Sequence, residues 1–252
     1  MAIIALKAWY LEYYQPVADV IQRPHDLRLN RNSLLKSAMR TDFLDEAKSI
    51  ESSVWFQRYL EGETVEFYIE GSGSYEIANV DLLSQEIYFA KKQTANWLQP
   101  YIFVSAQAVK EKVNQAIAIE LEKAIEVLNK SSRIPIELKL SQAPTDAPWR
   151  VNNTQLRAIR QSLLHIVDVT AIAEQNGRLI CDPQVALELG YSLQNKHTNQ
   201  ILLLSQTDSE LTGTMPFDLP EHRQLGFSSQ QELAKMLPTL LESSLQPYRL
   251  IS

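Results

Sequence analysis

Apolar positions recur at spacings of three and four from Leu6 through Trp9, Tyr10, Tyr13, Val17 and Val20, which predicts a helix that Pro16 kinks or ends. Asp42 to Tyr59 resumes a helical pattern. Thr64 to Ile69 alternates instead, with Val65, Phe67 and Ile69 set against Glu66 and Tyr68. Gly71-Ser72-Gly73-Ser74 supplies turn chemistry, and Tyr75 to Val80 and Glu86 to Ala90 read as further strands. Residues 1–99 are thus expected to form a small α+β module.

After Pro100 strands alternate with helices. Tyr101 to Val104 is a short buried-strand run ending at Ser105, followed by a helix with Val113, Ile117, Leu121, Ala124 and Leu128 on one stripe. Ile134 to Leu140 reads as the next strand. The proline-bearing loop from Ala143 to Val151 leads to Asn153, an expected N-cap for a helix with Leu156, Ile159 and Leu163 inward. Leu164 to Val169 and Ile201 to Leu204 are two more strands, with a helix from Pro183 to Asn195 between them. Ser229 and Glu232 have the spacing of a capping box for a last helix carrying Leu233, Leu237, Leu240 and Leu245, which Pro238 is expected to bend. Such alternation predicts parallel β-α-β units, because a parallel crossover needs a dozen or more residues and usually contains a helix. Residues 100–252 are therefore expected to fold as an open α/β sheet, whose ligands collect beyond the carboxyl ends of the strands.

Composition narrows the function classes. The 252 residues are 45% hydrophobic and 21% charged, which excludes disordered and fibrous classes. A net charge of -6 repels polyanions and so argues against nucleic acid as a partner. The single cysteine, Cys181, has no intrachain disulfide partner, and four scattered histidines (His25, His165, His197, His222) lack zinc-ligand spacing. We expect no metal, a cytoplasmic setting and, with every apolar run short of the ~18 residues a span requires, no membrane insertion. The basic stretch at residues 21–40 (Arg23, Arg28, Arg31, Lys36, Arg40) reads as a solvated face.

Candidate chemistry lies where the second half's strands end: Ser105, the Asp168-Val169-Thr170 segment, and the helix that begins at Asp182. Asp182 suits an N-cap and Pro183 the first helical position, so free N–H groups should point outward from the helix start. Val185, Leu189 and Leu193 form that helix's expected buried stripe, with Glu188 at its border, where a carboxylate is costly unless partnered. Gly190 is expected to permit close packing, and Tyr191 adds an amphipathic ring. His165, inside an apolar strand, reads as a satisfied core histidine, and Cys181 as a packed thiol.

Four segments in order, His165-Ile-Val-Asp-Val-Thr170, Asp182-Pro-Gln-Val-Ala-Leu-Glu-Leu-Gly-Tyr-Ser-Leu193, Gln200-Ile-Leu-Leu-Leu204 and Met215-Pro-Phe-Asp-Leu-Pro-Glu-His-Arg-Gln-Leu-Gly-Phe227, resemble the TIR-like nucleotide-binding domains, relatives of the nucleoside 2-deoxyribosyltransferases. The resemblance covers roughly residues 100–252. It implies a flavodoxin-like parallel sheet with helices on both faces, and NAD or a related nucleotide as substrate rather than as a tightly bound cofactor. It also implies a catalytic role for Glu188 at the anomeric carbon of a ribosyl group, with nucleotide contacts from Ser105, Asp168, Thr170, Asp182 and Tyr191. Where the family has Asn on both sides of the helix-opening proline, this chain has Asp182 and Gln184. The resemblance further allows self-association, nucleoside deoxyribosyl transfer, or a catalytically silent scaffold working through protein contacts, with residues 1–99 as partner-binding or regulatory module in defence signalling.

Overall fold

The computed structural model describes residues 5–30, 38–91, 98–107, 110–141, 153–207, 211–217 and 220–250. The chain divides into two compact units, 1–97 and 98–252.

The first unit is an antiparallel sheet with short helices. In chain order it comprises β1 (Ala5–Leu11), α1 (Val17–Val20), β2 (Leu27–Asn30), β3 (Ala38–Asp42), α2 (Ala47–Glu51), α3 (Val54–Leu60), β4 (Glu66–Ile69), β5 (Gly73–Asp81) and β6 (Glu86–Lys91). The strands are ordered β2-β1-β4-β5-β6-β3, and a bridge between Leu29 and Phe43 brings the two edges together, so the sheet nearly closes on itself. Phe67, Phe89, Tyr75, Ile87, Met39 and Trp55 fill the interior.

Residues 5–11 form a strand, not the helix their periodicity predicts, and pair with both β2 and β4. Both faces of β1 are covered: Ala8, with Leu6 and Tyr10, packs into the main core, while Trp9 and Leu11 pack with Val20. A strand buried on two sides loses its alternation, and its apolar spacing then mimics a helix. Pro16 precedes α1 instead of kinking a longer helix. The pattern over 42–59 is likewise broken, since Asp42 ends β3 and Ser53 caps α3 by accepting from Phe56 N–H at 3.3 Å. Two strands not expected from the sequence, β2 within the basic stretch and β3 at its end, carry part of it. Its arginines pair with acids, Arg28 with Asp45 at 2.8 Å, Arg23 with Asp26 at 3.6 Å, and Arg40 with Glu86. Arg31 and Lys36 lie outside the described residues.

The second unit is a five-stranded parallel sheet with helices. Its elements are β7 (Gln99–Ser105), α4 (Glu111–Asn129), β8 (Glu137–Leu140), α5 (Asn153–Gln161), β9 (Ser162–Asp168), β10 (Ala173–Gln175), β11 (Arg178–Ile180), α6 (Pro183–Asn195), β12 (Ile201–Gln206), β13 (Gln224–Phe227) and α7 (Gln230–Leu245). The order is β13-β12-β9-β7-β8, all neighbours parallel. The chain winds outward from β7 to β8 and then back past it to β9, β12 and β13. Right-handed crossovers in opposite directions put α4 on one face and α5 and α6 on the other. Accordingly α4 packs with α7, and α5 with α6. All seven residues of β9 are buried, as a central strand covered on both faces requires.

Leu163 belongs to β9 rather than to the preceding helix, and on α7 the buried positions are Leu233, Leu237, Leu241 and Leu245, with Leu240 only half-buried. Ser229 caps α7 as expected, but the Glu232 carboxylate reaches Ser228 N–H at 2.8 Å, so the box closes one residue early. The helix continues through Pro238. The β10–β11 hairpin was not expected, although its turn, Asn176-Gly177 with both residues at positive φ (54° and 76°), carries the usual signal for a two-residue hairpin. Gly213 is obligatory beside it: a Cβ there would stand 2.6 Å from the Gly177 carbonyl oxygen. Among the described residues no helix is long and apolar enough to cross a membrane.

Candidate functional site

Strand order reverses between β7 and β9, and the helix that returns the chain from β9 to β12 starts beyond their carboxyl ends. Asp182 caps that helix, α6, its carboxylate accepting from Gln184 N–H at 2.8 Å, and Pro183 takes the first position. The buried face of α6 is Val185, Glu188, Leu189 and Ser192. Glu188 is therefore central to that face, not at its border, and only 4% exposed. Leu193 is 42% exposed, its expected place in the buried stripe taken by Ser192. Gly190 faces open space: a Cβ at that position would have no neighbour within 4 Å, so close packing is not what this glycine serves.

A buried carboxylate persists as an anion only with donors around it. Glu188 has four. Its Oε1 accepts from Gln155 Nε2 at 2.5 Å, Gln184 Nε2 at 2.9 Å and Ser141 Oγ at 3.1 Å. Its Oε2 accepts from Ser105 Oγ. Gln155 comes from the first turn of α5, Gln184 from the first turn of α6, Ser141 directly follows β8, and Ser105 ends β7. Five polar side chains from four elements thus converge beyond the strands' carboxyl ends, and no Lys or Arg is among them.

Behind Ser105 the polar chain continues inward. Ser105 Oγ lies 2.7 Å from His165 Nε2, and His165 Nδ1 bonds Ser192 Oγ. His165 is wholly buried, and desolvation first, then the charge of Lys196, holds its imidazole well below its ordinary pKa. Lys196, at the C-terminal end of α6, donates to the Ser162 carbonyl at 2.6 Å; burial pulls its ammonium down to about 7.

Of the residues expected at the site, Ser105 and Glu188 meet. Asp168 and Thr170 do not join them. Side chains alternate along β9, so His165 and Val167 face α6 while Asp168 faces the side of α4. There the Asp168 Oδ1 accepts from Thr170 N–H at 3.0 Å and Thr170 Oγ1 at 2.5 Å, and Thr170 Oγ1 accepts from Gln206 N–H at 2.9 Å. Gln107 donates to the carbonyls of both Asp168 and Thr170. This is a strand-end turn satisfied locally except at Asp168 Oδ2 and Gln107 Oε1, which are buried without a hydrogen-bond partner among the described residues. Desolvation raises the Asp168 carboxyl above its ordinary value, against the opposing hydrogen bonds of Thr170. Tyr191 packs against Tyr101, Phe103 and Ile159 under α5. Asp182 is occupied as a cap. Met215 and Phe217 pack against the apolar cluster beneath α6, while residues 218 and 219 lie outside the described residues. Cys181 is a packed thiol, pushed up to about 11 by burial.

Ser141, Gln155, Gln184 and Ser192 join this cluster without having been expected from the sequence. A signal existed in part: polar residues at i, i+4 and i+8 of α6 (Gln184, Glu188, Ser192) form a stripe through an otherwise apolar face. Ser141 and Gln155 carry no such signature. Among the described residues, no three His, Cys, Asp or Glu side chains gather as a metal site would need.

No family model matches the chain, and no curated protein matches it. Four chains among solved structures do match. One is RosB, solved with its bound intermediate 8-demethyl-8-formylriboflavin-5'-phosphate, which is 11% identical, with a TM-score of 0.29 over 59% of this chain and 81% of that chain. A superposition of that quality bears on neither fold family nor site.

Proposed function

We propose that the second unit is a flavodoxin-like, TIR-like nucleotide-handling domain, and that Glu188 engages the ribosyl group of NAD or a related nucleotide and assists cleavage of its N-glycosidic bond. The observation that carries this reading is the Glu188 carboxylate ringed by neutral hydroxyl and amide donors, beyond the strands' carboxyl ends where strand order reverses. Counted within the unit, that order is 2-1-3-4-5, which supports the flavodoxin-like assignment, and the reversal is where such sheets bind ligands. Serine hydroxyls and glutamine amides suit a sugar because each can exchange its bond to Glu188 for one to a ribose hydroxyl. With no cation beside it among the described residues, the carboxylate keeps its field for the positive charge that develops at C1′. In the hydrolytic form the C1′–N bond breaks, nicotinamide leaves neutral with the bonding pair, the oxygen of a water bonds to C1′, and the water's proton passes to Glu188.

The 4% exposure of Glu188, with both oxygens already partnered, favours a second reading in which the domain binds a nucleotide without turning it over. Measuring nicotinamide release from NAD and thermal stabilisation by NAD, in wild type and Glu188→Gln, separates the two. Release abolished by the substitution supports cleavage; stabilisation without release supports binding alone; neither effect removes NAD from consideration. Base exchange between deoxynucleosides would instead mark deoxyribosyl transfer. The cytoplasmic setting, self-association and a protein partner for residues 1–99 belong to the same proposal, the first supported by the buried, unpaired Cys181 thiol.

A further inference from the structure

Among the described residues Glu188 Oε1 has three donors, but Oε2 has one, the Ser105 hydroxyl. A serine hydroxyl carries a single proton, and Ser105 Oγ also lies 2.7 Å from His165 Nε2. An ionised carboxylate only accepts, so a bond between Ser105 and Glu188 uses that proton. Toward His165 the serine oxygen must then accept, which places a hydrogen on Nε2. A neutral imidazole protonated at Nε2 has a bare Nδ1, and the group facing Nδ1 is the Ser192 hydroxyl, a donor.

From this count we infer that His165 and Ser192 are positioning residues for the Glu188 carboxylate, acting through Ser105 along a one-way chain: Ser192 O–H to Nδ1, Nε2–H to Ser105 Oγ, Ser105 O–H to Glu188 Oε2. The opposite tautomer would send the Ser105 proton to Nε2 and take from Oε2 its donor among the described residues. The tautomer of one buried histidine thus decides whether half of the carboxylate is held.

Three features of the fold maintain that choice. Ser105, His165 and Ser192 are each 0% exposed, so water does not compete for their protons. The ring is kept neutral by desolvation and by the charge of Lys196, an imidazolium having two donors and no acceptor. Finally, Glu188 and Ser192 sit one turn apart on α6, so both ends of the chain are anchored on one helix while its middle is anchored on β7 and β9.

The inference deepens the proposed ribosyl site and rests on it for its functional consequence, but its structural content is tested without any ligand. Ring nitrogens of the full-length protein, labelled with 15N histidine, report the tautomer directly, with His165 assigned by comparison with His165→Gln. The expected result is a neutral ring protonated at Nε2 that does not titrate between about pH 5 and 8, and that shifts toward the Nδ1–H form in Ser105→Ala, where Ser192 becomes the remaining partner. A wild-type ring protonated at Nδ1, or a cationic ring, would overturn the inference, as would a Ser105→Ala spectrum unchanged from wild type. For the functional arm, Ser192→Ala is expected to weaken NAD binding about tenfold, as the loss of one charge-assisted hydrogen bond would, and Ser192→Thr to restore it. Unchanged NAD affinity in Ser192→Ala alongside weakened affinity in Glu188→Gln counts against the positioning role alone. No NAD binding by wild type counts against the ribosyl reading, with the tautomer still deciding how Glu188 is held.

Discussion

Asp168, at the end of β9, and Glu188, on α6, lie on opposite sides of the parallel sheet. Among the described residues, Glu188 has four donors on the α6 side, whereas Asp168 has two donors on Oδ1 and none on Oδ2 on the α4 side. The same burial therefore has different consequences for the two acids. One is solvated by the protein and the other is left partly unsolvated.

For Asp168 the consequence is a pH dependence. Its folded-state pKa is raised by desolvation above the ordinary 3.8, so between that value and the raised one the folded protein holds a proton that the unfolded chain has lost. Stability then falls as pH rises through that window. Asp168→Asn keeps an acceptor for Thr170 and removes the charge; we expect it to be more stable than wild type at pH 7 and to flatten the slope in urea denaturation series above about pH 4. Asp168→Ala, which strands the Thr170 N–H, is expected to cost ~1–3 kcal/mol.

Lys196 behaves in the opposite sense. Its folded pKa of about 7 lies below the ordinary 10.5, so between those values the unfolded chain holds the extra proton and stability rises with pH. Below about 7 the full cost of burying the ammonium is present. Lys196→Met is expected to stabilise the protein most near pH 6, and the advantage to shrink steadily toward pH 10 as the wild-type lysine becomes neutral, with the lost bond to Ser162 as a constant offset. Equal stability differences at pH 6 and pH 10 would contradict this.

Replacing Glu188 by Leu removes the acceptor shared by Ser105, Ser141, Gln155 and Gln184, leaving Ser141 Oγ as acceptor for the two glutamines and His165 Nε2 for Ser105. Buried donors without acceptors cost ~1–3 kcal/mol each when water cannot reach them. We expect Glu188→Leu to lose several kcal/mol by chemical denaturation and Glu188→Gln, which retains one acceptor oxygen, clearly less. An inverted order would show that the ring of donors is solvated in another way.

Cys181 is buried and its thiol is pushed up to about 11, so little thiolate exists at neutral pH. A thiol-specific reagent at pH 7.5 is expected to react slowly with native protein and rapidly once urea unfolds it. Fast native labelling would place this cysteine at an open surface.

Local pattern was enough to reveal the change from an α+β half to alternating strands and helices, together with α4, α6 and the Asp182-Pro183 start of α6. Those features depend on periodicity and on capping chemistry, both carried within a few neighbouring residues. The first strand was hidden because Trp9 and Leu11 are buried on one face while Leu6, Ala8 and Tyr10 pack on the other, so its pattern depends on a second cluster contributed by Val20 and Tyr68. The site was half hidden for a related reason. Glu188 stood out as an acid on an apolar face, but which face of β9 carries Asp168, and that Ser105, Ser141 and Gln155 arrive at one carboxylate from positions 83, 47 and 33 residues away, follow from strand pairing and crossover direction. Residue identity determines which side chains are able to accept or donate a proton; packing alone decides which of them are close enough, and dry enough, to do so with one another.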